Sequence, residues 1–311
     1  MNFGNINIST TDTTITKRAT REELLAHVEA VPTLPIIVTE ILGTSTTSPE
    51  FLTRIREFAR NDPGLAGRII ALANSAAYAP VTDILDINTA VVRLGSRILS
   101  EIVRAFTVLR VFVPSTPAHC ALWSHAIQVA TMARMIAIEG HAQVNPEVCY
   151  AVGLLHDVGR LVMFANDPAR LREVDDEGWR SPAELVNVER AIFGIDHAEL
   201  GAVVCERWGV PGDIVFVIRK HHEPDAWQYV SSETRDVLRI VQQADLWSVK
   251  LMLSQAGGPE SMDGLARQFE SSIIPESKAI LGPKDFRDII SQTLVATGAQ
   301  RRVLGLQLRV E

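Results

Sequence analysis

Apolar residues recur along this sequence at the spacing of an α-helix, and this periodicity restricts the fold more than any other feature. Leu65, Ile69 and Leu72, for example, fall on one face of a predicted helix. Capping residues followed by proline open several such stretches, as at Asp62-Pro63 and Asn145-Pro146. No segment alternates apolar and polar residues over the length of a strand with hairpin turns at its ends. The sequence therefore predicts an all-α protein.

Two prolines, Pro114 and Pro117, divide the helical pattern. They end the long apolar stretch before them, because proline lacks the amide hydrogen that a helix interior needs. We therefore predict two packed helical subdomains, over residues 21–115 and 118–255. Gly95 predicts a further break near the start of the long stretch.

The remaining segments are predicted from their composition. Residues 1–20 are rich in Thr, Ser and Asn and predict a flexible N-terminal tail. We predict a C-terminal helical extension over residues 256–311. Residues 166–182 are polar and acidic, and we predict a loop there.

Charge and cysteine content argue against several classes of protein. The 30 basic and 37 acidic residues give a net charge of −7, which makes nucleic acid an unlikely partner because phosphate binding needs surplus Lys and Arg. No uninterrupted apolar stretch reaches the ~18–20 residues of a membrane span, and the N-terminus lacks the pattern of a signal peptide. Cys120, Cys149 and Cys205 form no CxxC pair. This cysteine usage favours the reducing cytosol, so we predict a cytoplasmic location.

An adjacent pair of ionisable residues, His156-Asp157, interrupts the apolar stretch Val148–Phe164, which we predict to be one helix. Burying two such groups is costly unless they are paired or bind a metal. Two interpretations stay open at this point. In one, Asp157 caps a helix or forms a local salt bridge and His156 is a hydrogen-bonded core histidine. In the other, both residues belong to a metal site.

The same part of the chain carries further candidate ligands at helix ends and on apolar faces. They are His125, His197, His221, His222 and Asp245. Nitrogen and oxygen ligands without sulfur suit Fe, Mn, Zn or Mg and do not select one of them. Three other histidines occupy polar flanks, and we predict that they are ordinary surface residues. They are His27, His119 and His141.

The order His125, His156-Asp157, Asp245 resembles the H…HD…D order of the HD superfamily of metal-dependent phosphohydrolases. More specifically, the sequence resembles the HDOD proteins, whose name means HD-related output domain. The matching segments cover about residues 25–250. They are Leu34-Pro35, Asn61–Leu65, Leu72–Ala76, Ile87–Ala90, Leu94-Gly95, Trp123–His125, Gly153–Leu161, His197–Ala202, Trp208 and His221-His222.

The resemblance implies an HD-like helical bundle over residues 118–255 and a metal site within it. One ion would be held by the four core HD positions, which are His125, His156, Asp157 and Asp245. His197, His221 and His222 resemble the second-metal ligands of the HD-GYP cyclic-dinucleotide phosphodiesterases, so the centre is expected to be mononuclear or dinuclear. Arg160 stands where active relatives usually carry Lys, and we predict that it binds substrate.

HDOD proteins are usually described as signalling output modules with degenerate HD sites. The resemblance therefore implies a bacterial signal-transduction protein that contacts other signalling proteins and uses its HD pocket as a metal or ligand sensor. A nucleotide is a candidate ligand. The alternative is an active metal-dependent phosphohydrolase or phosphodiesterase acting on a nucleotide or cyclic dinucleotide. Arg160, and the lack of a GYP-like segment after His222, argue against hydrolysis.

Overall fold

All regular elements of the structure, a computed structural model, are helices. The structure describes residues 21–32, 49–78, 82–179, 181–257, 261–281 and 286–306. No strand occurs in these ranges, so the all-α prediction is confirmed. The predicted tail at residues 1–20 lies outside them.

Among the described residues before the two prolines, the structure has four helices. They are α1 (Arg21–Ala30), α2 (Pro49–Arg60), α3 (Pro63–Ala73) and α4 (Ile87–Val111). Asp62 caps α3 as predicted, because its side chain accepts a hydrogen bond from the Leu65 amide at 3.1 Å. Gly95 adopts a φ of 73° and kinks α4, which confirms the predicted break. This left-handed conformation favours glycine, which has no Cβ to clash with the backbone.

Eight helices occur in the described residues 117–179 and 181–257, and this part of the fold carries the candidate ligands. They are α5 (Pro117–Glu139), α6 (Pro146–Leu155), α7 (Val158–Asn166), α8 (Pro168–Asp176), α9 (Pro182–Phe193), α10 (His197–Arg207), α11 (Gly212–Lys220) and α12 (Ser232–Gly257). A short 3₁₀ helix, Ala226–Tyr229, joins α11 to α12.

The described C-terminal residues are helical too. The elements are α13 (Met262–Ser271), a 3₁₀ turn (Pro275–Ser277), α14 (Lys278–Leu281) and α15 (Phe286–Leu304). Buried apolar side chains from α1 to Leu306 form one continuous core that includes both predicted subdomains. The break between α4 and α5 lies at the proline pair, but the apolar core crosses it.

Two local predictions are wrong. The acidic segment predicted as a loop contains α8, because Asp167 caps its first turn and Leu171 and Val174 turn an apolar face inward. The helix predicted to run through His156-Asp157 is interrupted there, between α6 and α7. The two ionisable residues therefore lie in a turn, in which His156 keeps helical backbone angles and Asp157 does not.

The segment Pro146–Asn166, which comprises α6 and α7, is long and apolar enough to cross a membrane by length and composition alone. It is the one such segment among the described helices. Within it, 78% of the most apolar window is buried inside the protein. Core helices commonly pass the same test, and this burial is what a core helix shows.

Candidate metal centre

The structure brings all seven predicted metal ligands together, and we call this group the His–Asp cluster. Its members are His125, His156, Asp157, His197, His221, His222 and Asp245. They come from five places in the fold: the middle of α5, the α6–α7 turn, the start of α10, the end of α11 and the middle of α12. Residues up to 120 positions apart in sequence thus face one another.

Two glycines allow the backbones around the cluster to approach closely. A Cβ on Gly153 would lie 2.8 Å from the Cα of Ala130, so α6 packs directly on α5. A Cβ on Gly159 would lie 2.0 Å from the carbonyl oxygen of His197. Glycine at this second position therefore lets the start of α10 reach the turn that carries Asp157.

A first group of ligands is formed by His125, His156 and Asp245. The Nε2 atom of His125 lies 3.1 Å from Oδ1 of Asp245, and Nε2 of His156 lies 3.9 Å from the same oxygen. One ligand atom from each of the three residues falls within 4.8 Å of the others. Such a group could hold a metal ion.

A second group is formed by Asp157, His197, His221 and His222, whose ligand atoms also lie within 4.8 Å of one another. Nε2 of His197 lies 3.1 Å from Oδ1 of Asp157. The same nitrogen lies 2.9 Å from Nε2 of His222 and 3.3 Å from Nε2 of His221. Three potential ligand atoms therefore crowd around the inner nitrogen of one imidazole.

The carboxylate of Asp157 lies between the two groups. Its Oδ1 atom is 3.5 Å from Nε2 of His156, and its Oδ2 atom is 3.7 Å from Nε2 of His125. Asp157 precedes α7, but its side chain makes no capping hydrogen bond to that helix. The geometry favours a ligand role for Asp157 over the capping interpretation.

Backbone carbonyls set the orientation of two imidazoles. Nδ1 of His156 lies 2.8 Å from the oxygen of Gly153, and Nδ1 of His221 lies 2.6 Å from the oxygen of Ile218. A carbonyl only accepts, so each Nδ1 carries the hydrogen and each Nε2 presents a lone pair to the cluster. Nε2 of His156 is buried and has no hydrogen-bond partner. An acceptor in this state fits a metal ligand.

Two side chains that the sequence analysis missed orient the other imidazoles. Glu189 is fully buried, and its Oε2 atom accepts from Nδ1 of His197 at 2.5 Å. Nδ1 of His125 lies 3.0 Å from the hydroxyl of Ser248, which donates to Gln128 at 2.7 Å and so accepts from the histidine. These contacts again direct Nε2 inward.

The cluster attracts positive charge. Burial by itself raises the pKa of Asp157, but the imidazoles of His156 and His197 outweigh it and hold that pKa well below its ordinary value. Burial opposes protonation of His197, yet Glu189 and Asp157 raise its pKa to about 10. His221 behaves oppositely, because burial and the neighbouring imidazoles lower its pKa to about 3. At neutral pH the carboxylate of Asp157 is therefore ionised and His221 is neutral, whereas His197 carries a second proton that a bound metal ion would have to displace.

A cavity of about 920 Å³ opens onto the cluster, and four of its members lie in the cavity wall. They are His125, Asp157, His222 and Asp245. Arg160, the predicted substrate-binding residue, also lines the cavity. Its guanidinium lies 2.5 Å from Asp175 and 3.7 Å from Glu189. Its role toward a substrate stays a prediction.

The prediction that His119 is a surface histidine is wrong. It is only 4% exposed, because it lies in the first turn of α5 and its ring packs on Phe164 at a centroid distance of 4.4 Å. Neither ring nitrogen has a hydrogen-bond partner, and burial lowers the pKa of His119 to about 4. His27 and His141 are exposed, as predicted.

The model of the HDOD domain matches residues 31–224 of this chain. The chain belongs to the HDOD family. The matched residues include six of the seven cluster members, and Asp245 lies beyond them. Because the match covers more than half of the chain, the resemblance that the motifs indicate is confirmed.

Relatives of this HDOD protein share the fold along most of its length. An HDOD domain protein of unknown function from Geobacter sulfurreducens is 25% identical and superposes with a TM-score of 0.67, covering 93% of this chain and 98% of its own. A protein from Shewanella amazonensis, provisionally described as a phosphohydrolase, is 22% identical with a TM-score of 0.67 and coverages of 90% and 97%. At that identity the second likeness shows the fold alone.

An uncharacterised protein of Treponema pallidum is 28% identical over 199 residues. The alignment covers 63% of the HDOD protein described here and 38% of the Treponema protein. The chain therefore spans well under half of that relative.

Proposed function

We propose that this chain is a bacterial signal-transduction protein of the HDOD type, whose His–Asp cluster binds one or two metal ions and whose cavity senses a ligand. The observation that supports this most is the orientation of the imidazoles. Four of them use Nδ1 to reach a partner outside the cluster and turn Nε2 inward. Inner nitrogens 2.9 and 3.3 Å apart share a proton or a metal ion, and a metal ion bound there would displace the proton of His197.

The two groups of ligands suit two ions, with Asp157 between them. His125, His156 and Asp245 would hold one ion, and His197, His221 and His222 the other. Fe, Mn, Zn and Mg all accept nitrogen and oxygen ligands. A bound divalent ion would supply Lewis-acid polarisation of an anionic ligand. Glu189 and Ser248 would hold the imidazoles in the ligating orientation.

The test is metal analysis of protein purified anaerobically without chelators. We expect one to two ions per chain, and we expect Asp157→Asn to lower metal content and thermal stability together. Asp175→Asn is the matched control, because Asp175 lines the same cavity outside the cluster. If the unaltered protein holds no metal and gains no stability from Fe, Mn or Zn, the cluster is a hydrogen-bonded group that only holds helices together.

A second function, metal-dependent hydrolysis of a nucleotide or cyclic dinucleotide, is favoured by the position of the cavity. Its wall contains members of both ligand groups, so a phosphoester within it would contact the centre directly. Metal-loaded protein should be tested on a panel of phosphoesters. Turnover that Asp157→Asn abolishes and Asp176→Asn preserves would establish the enzyme and replace the sensor proposal, because Asp176 is exposed and lies outside the cavity wall.

We place the contact with partner proteins on the N-terminal helices. Helices α1 to α4 contain none of the seven ligands, and the exposed fractions of Leu85 and Val92, near the start of α4, are 85% and 70%. Replacing both with Ser should abolish crosslinking to the cognate signalling protein in cells while metal content is unchanged. The control is Val295→Ser on α15, which is 58% exposed. Unaltered crosslinking would contradict this location.

A further inference from the structure

Most of the cavity wall is apolar. Beyond the cluster and the Arg160–Asp175 pair, large hydrophobic side chains from α5, α7, the α8–α9 connection, α9 and α12 surround the space. They are Leu122, Phe164, Trp179, Leu185, Val249 and Met252. A volume of about 920 Å³ lies near the upper end of the range for small-molecule pockets, roughly 300–1,000 Å³.

The apolar surface leads directly away from the cluster along two helices. On α5, Ala118 and Leu122 come seven and three residues before His125, so they continue the face of that ligand. On α12, Val249 and Met252 follow Asp245 at spacings of four and seven. Each helix thus places a metal ligand at one end of the cavity and hydrocarbon next to it.

Cationic groups are scarce in this wall. Among the described lining residues, the basic side chains outside the cluster are Arg160 and Arg172. Arg160 is already paired with Asp175, and Arg172 is exposed at the rim. A polyphosphate or a cyclic dinucleotide carries several negative charges, which would need more cations than this wall presents. Only the cluster end, once it holds metal, can balance an anionic group.

We propose that the cavity binds an amphiphile with one anionic head, a phosphate or a carboxylate, at the His–Asp cluster and a hydrocarbon body between α5 and α12. This inference rests on the metal site proposed above, and it narrows the ligand class. The polar edges of a nucleobase would meet mainly apolar side chains, and unpaired polar groups in such a site cost affinity.

The test is calorimetric titration of metal-loaded protein with hexyl, octyl and decyl phosphate, with decanoate and with AMP. We expect affinity for the alkyl phosphates to rise about fourfold per methylene, as burial of hydrocarbon predicts. Decyl phosphate and decanoate separate the two kinds of head group, and binding of either one supports the proposal. AMP should bind more weakly than decyl phosphate.

A variant in the wall makes the test independent of the metal ligands. Met252→Glu places a charge against the hydrocarbon body and should weaken decyl phosphate binding at least tenfold, with metal content unchanged. Met252→Leu keeps the wall apolar and should bind decyl phosphate within about twofold of the unaltered protein. Circular dichroism of both variants checks that the helices are retained.

The two proposals fail in distinguishable ways. Protein that holds metal but binds AMP as tightly as decyl phosphate, or shows no dependence on chain length, overturns the amphiphile inference and leaves the metal site in place. Protein that holds no metal overturns the metal site. Decyl phosphate that binds equally well after metal removal overturns the placement of its head at the cluster.

Discussion

Two buried polar clusters lie in this fold, and they differ in how their charges are balanced. The second cluster, here called the Arg–Glu cluster, joins α4 to α5 and α6 through Glu101, Arg104, Arg134 and Glu147. Arg104 lies 2.9 Å from Glu147, and Arg134 lies 2.9 Å from Glu101. Two guanidinium groups thus face two carboxylates. In the His–Asp cluster, five imidazoles face two carboxylates and one another.

Neighbouring groups donate further hydrogen bonds to the two carboxylates of the Arg–Glu cluster. The hydroxyl of Ser100 donates to Glu147 at 2.8 Å, and the amide of Gln300 donates to Glu101 at 2.9 Å. Nε2 of His156 in the His–Asp cluster is buried without a hydrogen-bond partner, and so are Nε and Nη1 of Arg134 in the Arg–Glu cluster. The comparison indicates that burial of charge alone does not mark a functional site. What distinguishes the His–Asp cluster is its imidazole nitrogens, which can bind a metal ion once they are deprotonated, whereas a guanidinium has no lone pair to offer.

The largest expected effect comes from breaking the Arg–Glu cluster. Arg104→Met leaves the carboxylate of Glu147 buried without its cation, and such changes lower the free energy of unfolding by about 3–5 kcal/mol. Chemical denaturation measures the loss, and metal content should stay unchanged. Replacing both partners, as in Arg104→Met with Glu147→Leu, should cost less than Arg104→Met alone. A larger loss in the double variant would show that the pair is not the balanced unit described here.

Removing metal from the His–Asp cluster should lower the stability of the unaltered protein. A ligand present at 100 times its dissociation constant stabilises the folded state by about 2.7 kcal/mol, so dialysis against a chelator should lower the melting temperature. Adding the metal back should restore it. Arg104→Met should show the same difference between metal-loaded and metal-free protein, whereas Asp157→Asn should show little. An equal response in Asp157→Asn would mean that the stabilising ion binds elsewhere.

The ligands of the His–Asp cluster could be predicted because ionisable residues on apolar faces are rare and because they follow the family order. Glu189 also leaves a signal, since it stands between Leu185 and Phe193 at spacings of four on the apolar face of α9. We missed that signal. Ser248 leaves none, because a serine within a helix has many ordinary roles.

Other features depend on packing that the sequence does not specify locally. The carbonyls of Gly153 and Ile218 orient two imidazoles, yet every residue carries a carbonyl, so none is singled out. Helix α8 was missed because its acidic composition masked the start signal at Asp167-Pro168. The cavity is lined by residues from α5, α7, α8, α9 and α12, and its volume has no sequence signature.

A smaller effect is expected where Glu189 supports His197. Glu189→Gln keeps the shape of the side chain but removes the charge that accepts from Nδ1 of His197. Loss of such an outer partner typically weakens metal affinity about 10–100-fold. Competition with a chromogenic chelator measures the change. Glu184→Gln, on the exposed side of the same helix, is the control and should keep full affinity. Equal affinity in both variants would contradict the role of Glu189.

The smallest effect is expected at Ser248, which carries no charge. Ser248→Ala removes the acceptor of His125 Nδ1 and also unpairs Gln128, so the imidazole is freer to turn away from the cluster. We expect metal affinity to fall about tenfold, the lower end of the range for outer partners. Ser124→Ala is a matched control beside His125, because the Ser124 hydroxyl donates to the carbonyl of Cys120 and not to the cluster. If both variants lose affinity equally, the loss comes from disturbance of α5. If only Ser248→Ala loses metal affinity, the orientation of His125 contributes to metal binding. The Arg–Glu cluster needs no such orienting partner, because its two guanidinium groups and two carboxylates balance one another.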